Sequence, residues 1–257
     1  MSELSTRTEA LAAAHASGGL LVLPTVWDTF SAQVAADAGF AALSIGSHPV
    51  ADSIGSQDGE KMDFGQYLQI TRRIVDAVNL PLSVDVESGY GLQPAELIGR
   101  LLEAGASGAN IEDTVHSQGG RLRERAEHAD YIAAARQAAD EAGQPFVING
   151  RTDAFKAGTA VFADPLAEAA ARIKLMEQAG ARSVYPVGLG TTDQVAAMVQ
   201  AVGVPVNVTA HPVNGHGAGG LGELQALGVR RVSFGPLWQK WLAELSSKQL
   251  AAWLPRP

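Results

Sequence analysis

The chain has 257 residues, of which 46% are hydrophobic, and this size suits one (β/α)8 barrel domain spanning residues 1–257. It contains no cysteine, which excludes disulfides, thiolate metal sites and a cysteine nucleophile. A net charge of −8 argues against nucleic acid as a partner, and the lack of long apolar runs or a signal-peptide pattern argues against a membrane, so we expect a cytoplasmic protein.

Short apolar runs alternate with longer segments of helical period along the chain. Strands are predicted over 20–23, 41–45, 82–86, 108–111, 146–148, 183–186, 206–208 and 231–234. Helices are predicted over 28–38, 64–78, 94–103, 126–141, 165–178, 192–201 and 221–226. Eight β-then-α units predict a closed parallel α/β barrel, and a doubly wound open sheet is the alternative.

Two connections are long for turns between a strand and a helix. Residues 47–63 and 114–125 are rich in Gly, Ser, Asp and charged side chains. Long loops at the C-terminal face of a barrel usually hold or cover a ligand. We therefore predict that both are active-site loops.

Acidic side chains follow the third and fourth predicted strands. Asp85 and Glu87 lie two residues apart in DVESGYG and are expected to face the same side, while Glu112 comes from the neighbouring strand in NIED. Converging carboxylates repel one another unless a cation lies among them, and an oxygen-only donor set favours Mg²⁺, with Mn²⁺ as a possibility. The alternative is that these acids cap helices or form salt bridges at the rim.

Groups that could bind an anion also follow the strands. The turn at 44–47, which contains Ser44, Gly46 and Ser47, can offer backbone N–H groups to a ligand. Arg151 could bind a carboxylate with two hydrogen bonds or offset developing charge, although a salt bridge to Asp113 or Asp153 is the alternative. His48 and Tyr185 could also donate hydrogen bonds to a substrate.

Together these motifs resemble the isocitrate lyase and phosphoenolpyruvate mutase superfamily over nearly the whole chain. The motifs are LPTVWD near Trp27, SIGS at 44–47, DGE at 58–60, DVESGYG at 85–91, NIED at 110–113 and INGRTDAF around Arg151. The resemblance implies a barrel enzyme that holds Mg²⁺ through acids at strand ends and acts on a small carboxylate related to a 2-oxo acid.

The resemblance also implies roles for individual residues. Asp85, Glu87 and Glu112 match the metal-site acids, and Asp58 would reach the ion through bound water. Glu87 stands where many members have aspartate. Residues implied for substrate binding are Trp27, Ser44, Gly46, Ser47, Asp85, Arg151 and Asn207, and those implied for catalysis include Arg151 and Glu112.

The loop at 114–125, which covers the site in similar proteins, departs from the pattern of the best-known members. It lacks the KKCGH motif of the lyases and the Lys and Asn of the phosphonate-handling members. His116, Arg121 and Arg123 are the loop's candidates for proton transfer or for binding a second carboxylate. A solvated loop with incidental charges is the alternative for each of them.

The leading hypothesis is a Mg²⁺-dependent carbon–carbon lyase or hydrolase that works through a metal-stabilised enolate. A mutase or hydrolase of the phosphonopyruvate type and a catalytically silent dicarboxylate-binding barrel are the alternatives. The glycine-rich segment HPVNGHGAGG also leaves open a sugar-phosphate barrel.

The C-terminal segment 236–257 contains more large apolar residues than a surface helix usually has. Its large apolar residues are Leu237, Trp238, Trp241, Leu242, Leu245 and Trp253. Similar proteins exchange their last helix between subunits, so the resemblance implies a domain-swapped homotetramer. Packing of this helix on its own barrel is the alternative.

Overall fold

The computed structural model describes residues 2–255, and the remaining residues of the predicted 1–257 domain and 236–257 segment lie outside the described part. The strands are β1 (Leu21–Leu23), β2 (Thr25–Val26), β3 (Leu43–Ile45), β4 (Leu82–Asp85), β5 (Gly108–Glu112), β6 (Thr114–Val115), β7 (Arg121–Leu122), β8 (Val147–Thr152), β9 (Ser183–Pro186), β10 (Asn207–Thr209) and β11 (Arg231–Ser233). The α-helices are α1 (Glu3–Ala16), α2 (Thr29–Asp37), α3 (Ser47–Ser53), α4 (Phe64–Ala77), α5 (Pro94–Glu103), α6 (Arg125–Glu141), α7 (Ala154–Ala157), α8 (Pro165–Gln178), α9 (Thr192–Ala201), α10 (Leu221–Ala226) and α11 (Leu237–Ala251).

The parallel strands form two sheets that are connected to each other at both ends. One sheet has the order β2-β3-β4-β5-β8-β9 and the other β1-β11-β10. Strands β1 and β2 are separated by Pro24 alone, and a parallel bridge joins Val184 of β9 to Val206, directly before β10. The chain therefore follows the eight-stranded α/β arrangement that the sequence predicts, with helices outside the strands.

Most predicted elements agree with the observed ones. Helix α1, the short helix α7 and the paired strands β6 and β7 were not predicted, and α3 occupies the beginning of the predicted loop 47–63. The strand predicted at 146–148 continues to Thr152, so Arg151 lies within a strand rather than after it. Gly150, which ordinarily weakens a strand, is needed there because a Cβ atom would lie 2.6 Å from Met176 Sδ of α8.

The helix starts have the expected capping chemistry. Asp28 accepts a hydrogen bond from Ser31 N at the start of α2, and Asp164 accepts one from Ala167 N at the start of α8. Pro165 occupies the first turn of α8, where it needs no hydrogen-bond donor. These local contacts fix the residues at which α2 and α8 begin.

Helix α1 covers the end of the barrel at which the strands begin. Leu11 packs in a separate buried cluster with Leu23, Ala42 and Val147. His15, one helical turn further on, is 5% exposed, and its Nε2 lies 3.0 Å from Nη1 of the fully buried Arg231. The helix is therefore attached to the barrel by apolar packing and by a hydrogen bond into the interior.

The long connection after β5 is an ordered hairpin. Strands β6 and β7 pair antiparallel, with the 3₁₀ turn His116–Gln118 between them. Arg123 fastens its base by donating to the backbone oxygens of Glu112 and Ser88, at 3.1 and 3.0 Å. Its guanidinium carbon also lies 4.2 Å from the centre of the Tyr131 ring.

Between residues 2 and 255, no helix combines the length and apolar character that a bilayer crossing needs.

The buried contact between α1 and Arg231 predicts an acid-sensitive contribution to stability. Burial lowers the pKa of His15 from 6.5 to about 3, with the charges of Arg231 and Arg182 acting in the same direction. The unfolded chain therefore binds one more proton than the folded chain between these pH values, so this contribution is present above about pH 6.5 and is lost as pH falls toward 3. By pH 5 we expect a loss of roughly 1 to 2 kcal/mol from this residue.

Urea unfolding of the wild type and of His15→Gln, measured from pH 7 to pH 4.5, checks this expectation. The free energy of unfolding of the variant should depend less steeply on pH, because glutamine can keep a hydrogen bond to Arg231 without titrating. His128, which is also buried and whose pKa is lowered to about 3, keeps its contribution in both proteins. Parallel pH profiles for the two proteins would contradict the assignment to His15.

Candidate active site

A cavity of about 560 Å³ opens where the barrel strands end. Asp85, Arg151 and Tyr185 line it from β4, β8 and β9, and the loops after β3 and β10 complete the wall. Of the residues that sequence analysis assigned to the site, Ser44, Gly46, Ser47, Asp58, Asp85 and Arg151 line this cavity. The barrel therefore brings most of the predicted substrate-binding residues to one place.

Arg151 lies among three carboxylates at the floor of the cavity. Its Nη1 is 2.6 Å from Glu112 Oε2 and 3.6 Å from Asp85 Oδ2. Its Nε donates to Asp153 Oδ1 at 2.9 Å. Parallel pairing sets Glu112 opposite Arg151 on β5 and β8, so the fold itself creates this contact. The salt bridge to Asp153, which was the alternative reading of Arg151, is thus present together with the site contacts.

The side chain of Glu87 accepts hydrogen bonds from its own loop and from the DGE loop at 58–60. Its Oε1 accepts from Tyr90 Oη at 2.8 Å, and its Oε2 accepts from Glu60 N at 2.7 Å. Glu60, Glu87 and Tyr90 have φ angles of 59°, 50° and 53°, a region that residues with a side chain seldom adopt. Because Glu87 leaves the extended conformation, strand alternation does not determine which way its side chain points.

His116 contacts two of the predicted metal-site acids. Its Nε2 lies 2.7 Å from Glu112 Oε1 and 3.7 Å from Glu87 Oε2. The hydrogen bond to Glu112 raises the pKa of His116, although burial opposes that shift. The hairpin after β5 therefore brings a histidine to two of the acids. That this hairpin covers the site stays a prediction.

The acids lie in an environment that disfavours their charged forms. Burial raises the pKa of Asp85 to about 7; Arg151 lowers it, whereas Glu112 and Asp58 raise it further. Burial also raises the pKa of Glu87 to about 8, with Asp58 the next contributor. An additional positive charge would stabilise the ionised acids.

The donor chemistry of the acids fits a hard cation such as Mg²⁺. Across residues 2–255, no three His, Asp or Glu side chains already converge as direct ligands of one ion. Mg²⁺ usually keeps several waters and takes only one or two protein carboxylates, so full convergence is not required. Asp85, which lines the cavity, would hold the ion directly, and Asp58, Glu87 and Glu112 would act through water.

The turn after β3 is closely packed. A Cβ atom on Gly46 would lie 2.7 Å from Thr25 Cγ2, so only glycine fits there. Gly46 N donates to Val26 O at 3.2 Å, whereas Ser47 N has no such backbone acceptor. Of the two, Ser47 is therefore the one that can offer a backbone donor to a ligand. His48 Nδ1 lies 3.3 Å from Asp58 Oδ2, which ties the turn to the DGE loop.

Besides Glu87, Glu112, His116 and Arg123, which are described above, three predicted site residues lie outside the cavity lining. Trp27 packs edge-on against Trp238 of α11, with ring centres 5.2 Å apart. Asn207 is buried and donates to Ser233 Oγ at 3.1 Å. Arg121 is bound by both oxygens of Glu127 at 2.7 Å. Their roles in binding or catalysis stay predictions.

Sequence reasoning did not single out Asn110, which lines the cavity floor, or Glu60 and Tyr90, which fix Glu87. Glu60 and Tyr90 lie inside the DGE and DVESGYG motifs, and Asn110 opens NIED. The motifs were therefore a usable signal for these residues, although their hydrogen bonds were not readable from the chain.

The chain is similar to a known protein family over most of its length. Residues 11–253 match the family model described as phosphoenolpyruvate phosphomutase. A solved structure of a candidate phosphonomutase from Burkholderia cenocepacia J2315 is 39% identical, covers 96% of this chain and 98% of its own, and superposes with a TM-score of 0.83.

Two enzymes with assigned activities are also similar. An oxaloacetate decarboxylase of Bradyrhizobium sp. strain BTAi1 is 28% identical over 81% of this chain and 70% of its own. The 2-methylisocitrate lyase of Escherichia coli K12 is 30% identical over 69% of this chain and 62% of its own. Since the family model matches nearly the whole length of the chain, the chain belongs to the phosphoenolpyruvate mutase family, within the superfamily that includes isocitrate lyases.

Proposed function

We propose that the protein is a Mg²⁺-dependent carbon–carbon lyase or hydrolase acting on a small carboxylate related to a 2-oxo acid. The observation that carries the proposal is the group of buried acids around Arg151 at the floor of the cavity. The similarity to an oxaloacetate decarboxylase and a 2-methylisocitrate lyase supports chemistry on oxo-acid carboxylates.

The chain's own residues would bind and orient such a substrate. Arg151 carries a permanent charge and a planar set of hydrogen-bond donors, which suits the binding of a carboxylate. A substrate carboxylate would compete with the present acidic partners for this guanidinium group. Ser44 and Ser47, which are 2% and 3% exposed, would fix the substrate's other oxygens. Burial raises the pKa of Tyr185, so its hydroxyl stays protonated and can donate at neutral pH. When bound, Mg²⁺ would supply Lewis-acid polarisation of the 2-oxo acid.

A phosphonopyruvate-type mutase or hydrolase is the second candidate, and the similarity to the candidate phosphonomutase favours it. The loop at 114–125 counts against it, because it lacks the expected Lys and Asn. Release of pyruvate from a dicarboxylate indicates the first reaction, whereas formation of phosphate or phosphoenolpyruvate from a phosphonate indicates the second. A silent dicarboxylate-binding barrel would bind such ligands and release neither product.

Thermal unfolding with oxalate, a mimic of the pyruvate enolate, tests the metal site. We expect Mg²⁺ and oxalate together to raise the melting temperature by several degrees, and either alone to raise it much less, because a ligand bound only by the folded state stabilises it. Asp85→Ala should abolish the joint effect and metal-dependent turnover. A joint effect that survives in Asp85→Ala would contradict the proposed site.

Asp130→Ala is the matched control, since Asp130 is an exposed acid of α6 outside the cavity lining. It should behave as the wild type in both measurements. A wild type indifferent to Mg²⁺ and oxalate in every combination would instead favour a different barrel function.

We also propose that α11 contacts a second copy of the chain in a homotetramer. Trp238 in its first turn is buried against the protein's own barrel, whereas Leu250, Trp253 and Leu254 at its end are 69%, 88% and 69% exposed. Such apolar exposure at one end of a helix is typical of an interface. Light scattering should give a mass of about four chains, and Trp253→Lys with Leu250→Lys should lower it; a monomeric wild type would contradict the proposal.

A further inference from the structure

Arg231 is the largest fully buried side chain of the described residues, and it lies in the interior of the barrel. Its Nη1 meets His15 Nε2 at 3.0 Å, and its Nη2 donates to Ser83 Oγ at 3.0 Å and Asn110 Oδ1 at 3.1 Å. No acid among residues 2–255 forms a salt bridge with it. Its hydrogen-bond partners are therefore neutral side chains rather than acids, and Asn110 is the one among them that lines the cavity.

These contacts determine which way the amide of Asn110 points. A guanidinium group can only donate hydrogen bonds, so the atom of Asn110 that faces Arg231 must be the oxygen. The same oxygen accepts from Asn149 Nδ2 at 2.8 Å. The nitrogen of Asn110 consequently points away from both partners, and within residues 2–255 it has no hydrogen-bond acceptor.

The free nitrogen lies where a ligand would need a donor. The side chain of Asn110 is only 5% exposed, and Asn110 lines the cavity. It pairs in register with Asp85 on the adjacent strand. The neighbouring acids Asp58 and Asp85 offer only acceptors when ionised, and Arg151 already serves three carboxylates. A neutral donor at this point can bind a ligand oxygen without adding charge.

We infer that Asn110 is a substrate-binding residue whose Nδ2 donates to a carboxylate or carbonyl oxygen of the ligand, and that Arg231 is the positioning residue that fixes this orientation. The inference rests on the proposed function, because it takes the ligand to be a small oxo-acid carboxylate. It adds a donor on the side of the cavity next to Asp85. It also gives the buried cation a role beyond packing.

Calorimetric titration with oxalate in the presence of Mg²⁺ tests the role of Asn110. Asn110→Asp keeps an acceptor for Arg231 and Asn149 but replaces the cavity-facing donor with an oxygen, so oxalate should bind about 10- to 100-fold more weakly. Asn110→Leu removes the donor without adding charge and should weaken binding about 10-fold. Wild-type affinity in both variants would overturn the inference while leaving the proposed function intact.

Arg231 is tested by comparing two substitutions. Arg231→Met removes the donor that orients the Asn110 amide, so oxalate affinity should fall about 10-fold. Arg231→Lys keeps one donor, so its oxalate affinity should lie within about threefold of that of the wild type. The ¹⁵N resonance of the Asn110 side chain, which should shift when oxalate binds the wild type, should lose that shift in Arg231→Met. Purely structural damage would not be rescued by lysine in this way.

Ser83→Ala is the control, because it removes another acceptor of Arg231 but leaves Asn110 in place. Its oxalate affinity should stay within about twofold of the wild type. A comparable loss in Ser83→Ala would overturn the specific role of Asn110.

A wild type that fails to bind oxalate with Mg²⁺ would overturn the proposed function and this inference together. Should Arg231→Met not fold, the Asn110 variants decide the matter.

Discussion

Arg151 reaches Asp85, Glu112 and Asp153 from its position in β8, at 3.6, 2.6 and 2.9 Å. Buried carboxylates at neighbouring strand ends repel one another, and Arg151 is the cation that these three share. Within residues 2–255, Asp85 has no other ion-pair partner, so removing Arg151 would leave its charge unpaired in a low-dielectric interior. The pairing register of β5 and β8 places Glu112 beside Arg151, so the charge balance follows from the barrel itself. Any anion that binds Arg151 must therefore replace some of its present ionic contacts.

Most of the fold was predictable because each β-then-α unit carries its own local signals. The helices predicted at 94–103, 165–178, 192–201 and 221–226 have these same bounds in the structure. Helix α1 was missed because two of its three buried residues, Thr8 and His15, are polar, so no apolar stripe marks it. Its burial depends on partners far along the chain, which single-sequence periodicity does not report.

The candidate site was predictable to the level of motifs but not of contacts. Asp85, Glu112 and Arg151 were found because strand ends in a barrel converge on one rim. The position of Glu87 depends on backbone angles near +50° and on Glu60 from a different loop, and no rule of alternation contains that information. Asn110 escaped notice because an amide at a buried strand position is ordinarily satisfied by its neighbours.

The contacts of Arg231 also bear on how this barrel can change over evolutionary time. In barrels of this kind, residues at the bottom usually serve stability and those at the top serve activity, so the two ends can vary separately. Here hydrogen bonds run from His15 of α1 through Arg231 to Asn110 at the cavity floor. A substitution beneath the barrel can therefore disturb an amide that lines the cavity, so we expect residues at the two ends of this protein to vary together.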